Sequence, residues 1–176
     1  KCFDPLELIE KYSADALRFT LLSMASPGRD VKLSEDRVKG YRNLLNKLWN
    51  ANNFLTQNKC NFKAIKSPSK LKININKWIY TQLLETKSEV EKNLIDYRFD
   101  EASRNIYQFV WNLYCDWYLE LSKTILYSND KVAIKEVREV AGNSFKEILI
   151  VMHPVNQCVT EENCWKKKVA RSGQKK

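Results

Sequence analysis

Lys47, Asn50 and Phe54 stand at i, i+3 and i+7 within the stretch NKLWNANNF, residues 46–54. In a helix that spacing sets a cation, an amide and an aromatic ring on one side. The chemistry open to such a trio is recognition: unstacked bases rest on a ring, base edges take amide hydrogen bonds, and phosphates take lysine or arginine. On a wheel with Val38 at the origin, the arc from about 40° to 180° holds Arg42, Asn53, Asn46, Lys39, Asn50, Asn43, Phe54 and Lys47, with no carboxylate among them. The arc opposite, about 240° to 340°, holds Tyr41, Leu44, Leu45, Leu48 and Leu55 and suits a core. A solvated helix face ordinarily mixes both signs. The competing explanation is that Phe54 tucks under the following loop and that the asparagines reflect composition.

Other residues that could carry chemistry point to structure. Phe109, Trp111, Tyr114 and Trp117 could form a stacking platform, but Phe109 and Trp117 fall on the inner arc of a helix that needs a core, so packing is the expectation. Asp116 and Glu120, four apart with no histidine nearby, read as ion-pair partners or caps rather than catalytic acids. The five cysteines, at 2, 60, 115, 158 and 164, form no C-x-x-C pair, and the single histidine, His153, precedes a proline at a helix end. No metal site and no catalytic residue is assigned, and the cysteines read as reduced thiols.

The charge supports a polyanion partner. The net charge is +9, with 14 basic and 7 acidic residues over 1–72, 10 and 12 over 73–153, and 6 and 2 over 154–176. Nucleic acid ranks ahead of an anionic membrane, because no basic amphipathic helix stands out; the bland reading is solvated lysines from an AT-biased coding sequence. There is no apolar run of about 18 residues and no leader pattern, so a soluble, cytoplasmic protein is expected.

The elements that must position these residues are helical. Asp4-Pro5-Leu6-Glu7 is a capped start for a helix to about Tyr12, and Ser13 separates it from Ala14–Ala25, with Leu17, Leu21 and Met24 at helical spacing. Pro27-Gly28 favours a type II turn, followed by extended Val31-Lys32-Leu33 and by Ser34 as a cap. A helix over 34–57 follows, with Val38, Tyr41, Leu45, Leu48, Asn52 and Leu55 inside, then a basic loop over 58–72. Long helices are expected over 76–95 (Trp78, Ile79, Leu83, Val90 and Leu94 inside) and 100–127 (Ala102, Ile106, Phe109, Val110, Leu113, Trp117 and Leu121 inside). Another spans 130–152, with Val132, Val137, Val140, Phe145, Ile148 and Leu149 inside and Gly142 weakening its middle by about 1 kcal/mol. Thr160 caps a last turn toward Trp165, and a disordered basic tail follows. The fold class is all-α: an antiparallel helical bundle with a small N-terminal helical segment.

The motifs DALRF, PGRDVKLS, KLWNA and YCDWYLELSK, within residues 4–54 and 97–123, closely resemble the C-terminal part of bacterial-type valyl-tRNA synthetases. The likeness is weaker at MHPVNQCVTEENCW, residues 152–165. It implies a stem-contact segment over 1–33, an anticodon-binding bundle over 34–153 and a degenerate last turn with a basic tail over 154–176. Arg42, Asn43, Asn46, Lys47, Asn50 and Phe54 then become anticodon-binding candidates and Arg29 and Lys32 stem-contact candidates, with Asp15 and Asp30 structural. The implied partners are valine isoacceptor tRNAs and a catalytic core in cis or trans, with neither DNA nor membrane. ATP and magnesium belong to that core, so this segment holds no cofactor and is inactive alone. The chain departs from the family where Ser13 replaces a usual glycine and where Asn156, Gln157, Asn163 and Cys164 interrupt a usually apolar stretch. The alternatives are a freestanding or degraded synthetase-derived module that binds RNA, and a helical domain that binds a protein partner.

Overall fold

The computed structural model describes residues 4–26, 28, 33–61, 65 and 70–162, and among them it contains helices and no strand. Helix α1 (Pro5–Tyr12) opens on Asp4, whose carboxylate accepts the Leu6 N–H at 2.9 Å, with Pro5 in the first turn. Ser13 ends α1 and starts α2 (Ala14–Met24). Its φ is +90° with ψ 153°, a region that glycine occupies freely, and its hydroxyl accepts the Ala16 N–H. Gly28 has φ +74°, the left-handed value that glycine adopts without strain.

Helix α3 (Glu35–Gln57) starts after Ser34, whose hydroxyl makes no capping bond. Glu35 instead ties the helix start to α1, taking the Lys11 ammonium and the Tyr12 hydroxyl. Helix α4 (Asn74–Ile95) is capped from a distance. Glu136 accepts the backbone N–H groups of Lys72 and Ile73 and the Asn76 side-chain amide, each at 3.0 Å, which supplies acceptors that Ile73 at the N-cap lacks. Helix α5 (Phe99–Tyr107), a π-helical segment (Gln108–Tyr118) and α6 (Leu119–Leu126) follow without a break. Helix α7 (Lys131–Met152) is capped by Asp130, which accepts from the N–H groups of Val132 and Ala133.

These elements form an antiparallel bundle in which the first and third long helices run the same way. The pairs Tyr41 with Tyr107, Lys47 with Trp111 and Phe54 with Lys123 advance together, so α3 lies alongside residues 99–126 in parallel. One apolar core runs from Leu8 and Phe19 through Leu44, Leu48 and Ile79 to Tyr114, Phe145 and Met152, so α1 and α2 share it with the bundle.

The π-helical segment corrects the inner face expected for the third long helix. Leu119 N–H bonds back to the Tyr114 carbonyl, five residues away, where an α-helix would reach four. The inward positions therefore slip by one residue, from 113, 117 and 121 to Tyr114, Tyr118 and Ser122. Trp117 is 61% exposed and Leu121 42%. The slip also brings two phenols onto buried acceptors: Tyr114 Oη donates to the Ala141 carbonyl and Tyr118 Oη to Asn76 Oδ1, both at 2.8 Å. Trp78, Leu94 and Val132, expected inside, are also exposed, and Trp78 and Trp117 line an apolar groove with Ile75 and Leu121.

The last turn begins earlier than expected, with residues 157–162 helical. Asn156, expected as an interruption, is fully buried and donates to the Asp15 carbonyl at 3.0 Å. The buried Asp15 carboxylate accepts the Val159 N–H at 2.7 Å, and the Thr160 hydroxyl bonds the Asn156 carbonyl. These polar residues tie α2 to the chain after α7. Asn163, Cys164, Trp165 and the basic tail lie outside the described residues.

Candidate nucleic-acid interface

The apolar side of α3 is anchored by Val38, Leu44, Leu45, Leu48 and Leu55, all buried. That anchoring decides which of the opposite side chains meet solvent. Arg42, Asn43, Asn46 and Asn50 are exposed, with Lys39 and Asn53 beside them. They form an open strip of guanidinium and amide groups without a carboxylate of its own. The chain in fact holds no aspartate or glutamate from Arg37 through Leu84, while ten lysines and arginines fall in that span. The run straddles the boundary at residue 72, so the charge balance of either flanking segment hides it.

Lys47 and Phe54 lie at the edge of the strip, where the neighbouring helix reaches over. The Lys47 ammonium contacts the Asp116 carboxylate and sits 3.9 Å from the centroid of the Trp111 ring. Phe54 is half-buried and packs against the core, with the Lys123 ammonium 5.7 Å from its ring centre. The ring is therefore less open than the spacing alone implies. Trp111 in turn stacks on Tyr107, with centroids 5.6 Å apart and planes 8° from parallel.

Asp116 pairs with Lys47 and Glu120 with Lys123, so both carboxylates serve as ion-pair partners. His153 Nδ1 shares a 2.8 Å hydrogen bond with the Thr160 hydroxyl at the end of α7. Burial pushes the Cys115 thiol up to about 12, so it is protonated at neutral pH and unsuited to nucleophilic work. Among the described residues no group of three histidines, cysteines or carboxylates could hold a metal ion. No helix among them is long and apolar enough to cross a membrane.

At the foot of α3 a polar cleft of about 680 Å³ opens between α2, α3 and α5, lined by Arg37 and Arg104 but also by Asp100 and Glu101, with Glu101 paired to Arg104. Sequence reasoning does not single out Arg37 or Arg104, because their sharing one cleft depends on how α5 meets α3. Arg29 and Lys32, the stem-contact candidates, and Asp30 lie outside the described residues.

The fold and this face define a class in structural terms: an all-helical bundle whose third helix turns a cationic, amide-rich strip to solvent. Residues 76–176 match the family described as the anticodon-binding domain of tRNA ligase, and the chain belongs to that family. It is 70% identical over 159 residues to the valine–tRNA ligase of Pelagibacter ubique, covering 90% of this chain and 18% of that protein. The valine–tRNA ligase of Bradyrhizobium diazoefficiens is 46% identical over 170 residues, covering 97% of this chain and 18% of its own. The chain thus spans about 18% of the length of the curated relatives it matches. Its fold is that of part of the agnB2 LeuRS of Agrobacterium radiobacter K84, solved as a ternary complex with tRNA and LeuAMS. That likeness has a TM-score of 0.72 at 18% identity and covers 92% of this chain and 19% of the other.

Proposed function

We propose that this chain is the tRNA-binding portion of a valine–tRNA ligase and that it holds the anticodon loop of valine isoacceptors on the open strip of α3. The observation that carries this reading is the exposed set Arg42, Asn43, Asn46 and Asn50 on a helix with no carboxylate beyond its first turn. The amides meet base edges and Arg42 a phosphate, while Lys47 and Phe54 supply a cation and a ring at the strip's edge. The 70% identity to a valine–tRNA ligase supports valine over other amino acids.

On this reading the segment contributes binding and no chemistry. ATP-dependent attachment of valine, with its ATP and magnesium, belongs to a catalytic core that acts with this segment in cis or in trans, in the cytoplasm. Arg29 and Lys32 would contact the tRNA stem.

The test is equilibrium binding of the 176-residue chain to transcribed valine tRNA and to a variant with a changed middle anticodon base, at two salt concentrations. Salt-sensitive binding that falls with the base change is expected, and Arg42→Ala should lower the salt slope by about one unit. Equal binding to both RNAs would reject anticodon reading on α3.

A further inference from the structure

Lys47 is already occupied on the free protein, and its occupants come from a helix that the α3 strip does not include. The carboxylate of Asp116 takes its ammonium, and Trp111 lies beneath it at 3.9 Å from the ring centroid. Trp111 is itself oriented by the stacked Tyr107, at 5.6 Å and 8°. The lysine side chain is 25% exposed and the aspartate 47%, and Trp111 is half-buried and packs on the core, so the cluster lies at the rim of the surface beside the exposed Asn43 and Asn50 of α3.

Resting on the anticodon reading above, we propose that Trp111 is a base-stacking residue of the RNA site and that Lys47, held by Asp116, covers its ring until RNA arrives. A carboxylate on a lysine presents the oxygens that a phosphate would present, so Asp116 stands where an RNA anion would compete for the same ammonium. A surface ion pair and a surface cation–π contact are both weak, so a base plus a phosphate can replace them. Lys47 then moves from Asp116 to the phosphate, and the indole face it leaves takes the base. Tyr107, stacked parallel to Trp111, keeps the ring in the orientation that stacking needs. The site thereby gains a second helix, the π-helical segment.

The assignment sets Asp116 against RNA binding and Trp111 in favour of it, which a purely structural cluster would not do. The probe is an anticodon stem-loop RNA carrying 2-aminopurine at each loop base in turn, bound to the full chain, with thermal melts alongside. Trp111→Leu is expected to weaken binding by roughly five- to a hundred-fold and to abolish quenching at one loop position. Asp116→Asn is expected to bind several-fold more tightly, even though it removes an ion pair from the free protein. Unchanged affinity in Trp111→Leu, or unchanged or weaker binding in Asp116→Asn, would overturn the proposal. If Asn50→Ala weakens binding while Trp111→Leu does not, the α3 strip stands and the Trp111 platform falls. If the wild-type chain binds no RNA, both fall.

Discussion

A Cβ added to Gly142 would lie 2.1 Å from the backbone carbonyl oxygen of Asn61 and 2.7 Å from its carbon, so the loop after α3 rests directly on the middle of α7. Only a residue without a side chain permits that approach. The glycine that weakens a helix in isolation is what lets this loop close over the bundle.

Gly142→Ala should therefore destabilise the protein by about 1–3 kcal/mol, the scale of overpacking, although helix propensity alone would forecast a gain of about 1 kcal/mol. Chemical denaturation of both proteins checks the sign. A more stable variant would mean that the loop yields to α7.

The one-residue slip in the π-helical segment separates two aromatic residues three positions apart. Tyr114→Ala should cost about 3–5 kcal/mol, since that ring is fully buried and its hydroxyl serves the Ala141 carbonyl. Trp117→Ala, at 61% exposure, should cost under about 1 kcal/mol. Equal losses in the two variants would restore an uninterrupted α-helical register.

Ser13→Gly should stabilise the chain. A serine at φ +90° and ψ 153° carries strain of about 1–3 kcal/mol, whereas glycine at an N-cap forfeits only a few tenths. The net expectation is a gain of about 1 kcal/mol, read as a higher melting temperature. A loss would show that the bond from Ala16 N–H outweighs the strain.

Glu136 makes α4 sensitive to acid. Burial pushes its carboxyl up, but the bonds from Asn76, Ile73 and Lys72 outweigh burial and hold it below the usual glutamate range. Because the folded value is the lower one, the stabilisation is fully present above the unfolded value and fades as pH falls through the folded one. Glu136→Gln should thus be less stable than wild type near neutral pH, by roughly 1–3 kcal/mol, with the gap closing below about pH 4. A gap that does not change with pH would assign the effect to packing.

Read from sequence alone, the helices at 5–12, 35–57 and 131–152 were legible to within a residue or two, because capping residues and a strict apolar period act locally. The exposure of Arg42, Asn46 and Asn50 follows from the same period, since burying Leu44, Leu45 and Leu48 leaves the other side of α3 to solvent. The positions of Lys47 and Phe54 were legible only as angles on a wheel. The Asp116 carboxylate on Lys47 and the Lys123 ammonium near Phe54 each come from 69 positions further along the chain.

The sequence by itself determined the helical class, the inner face of α3 and its cationic, amide-rich outer face, all of which rest on spacings within a few turns. Only the tertiary structure decided that Asp116 and Trp111 would claim Lys47, that residues 108–118 would take five-residue hydrogen bonds, and that Gly142 would receive Asn61. The physical reason is the same for all three. A helical wheel assumes one fixed rotation per residue and a bare surface, whereas the rotation of the π-helical segment is tied to phenol partners at Ala141 and Asn76, far away in sequence. Which side chains share a surface is set by how the helices pack, and packing is a property of the whole core.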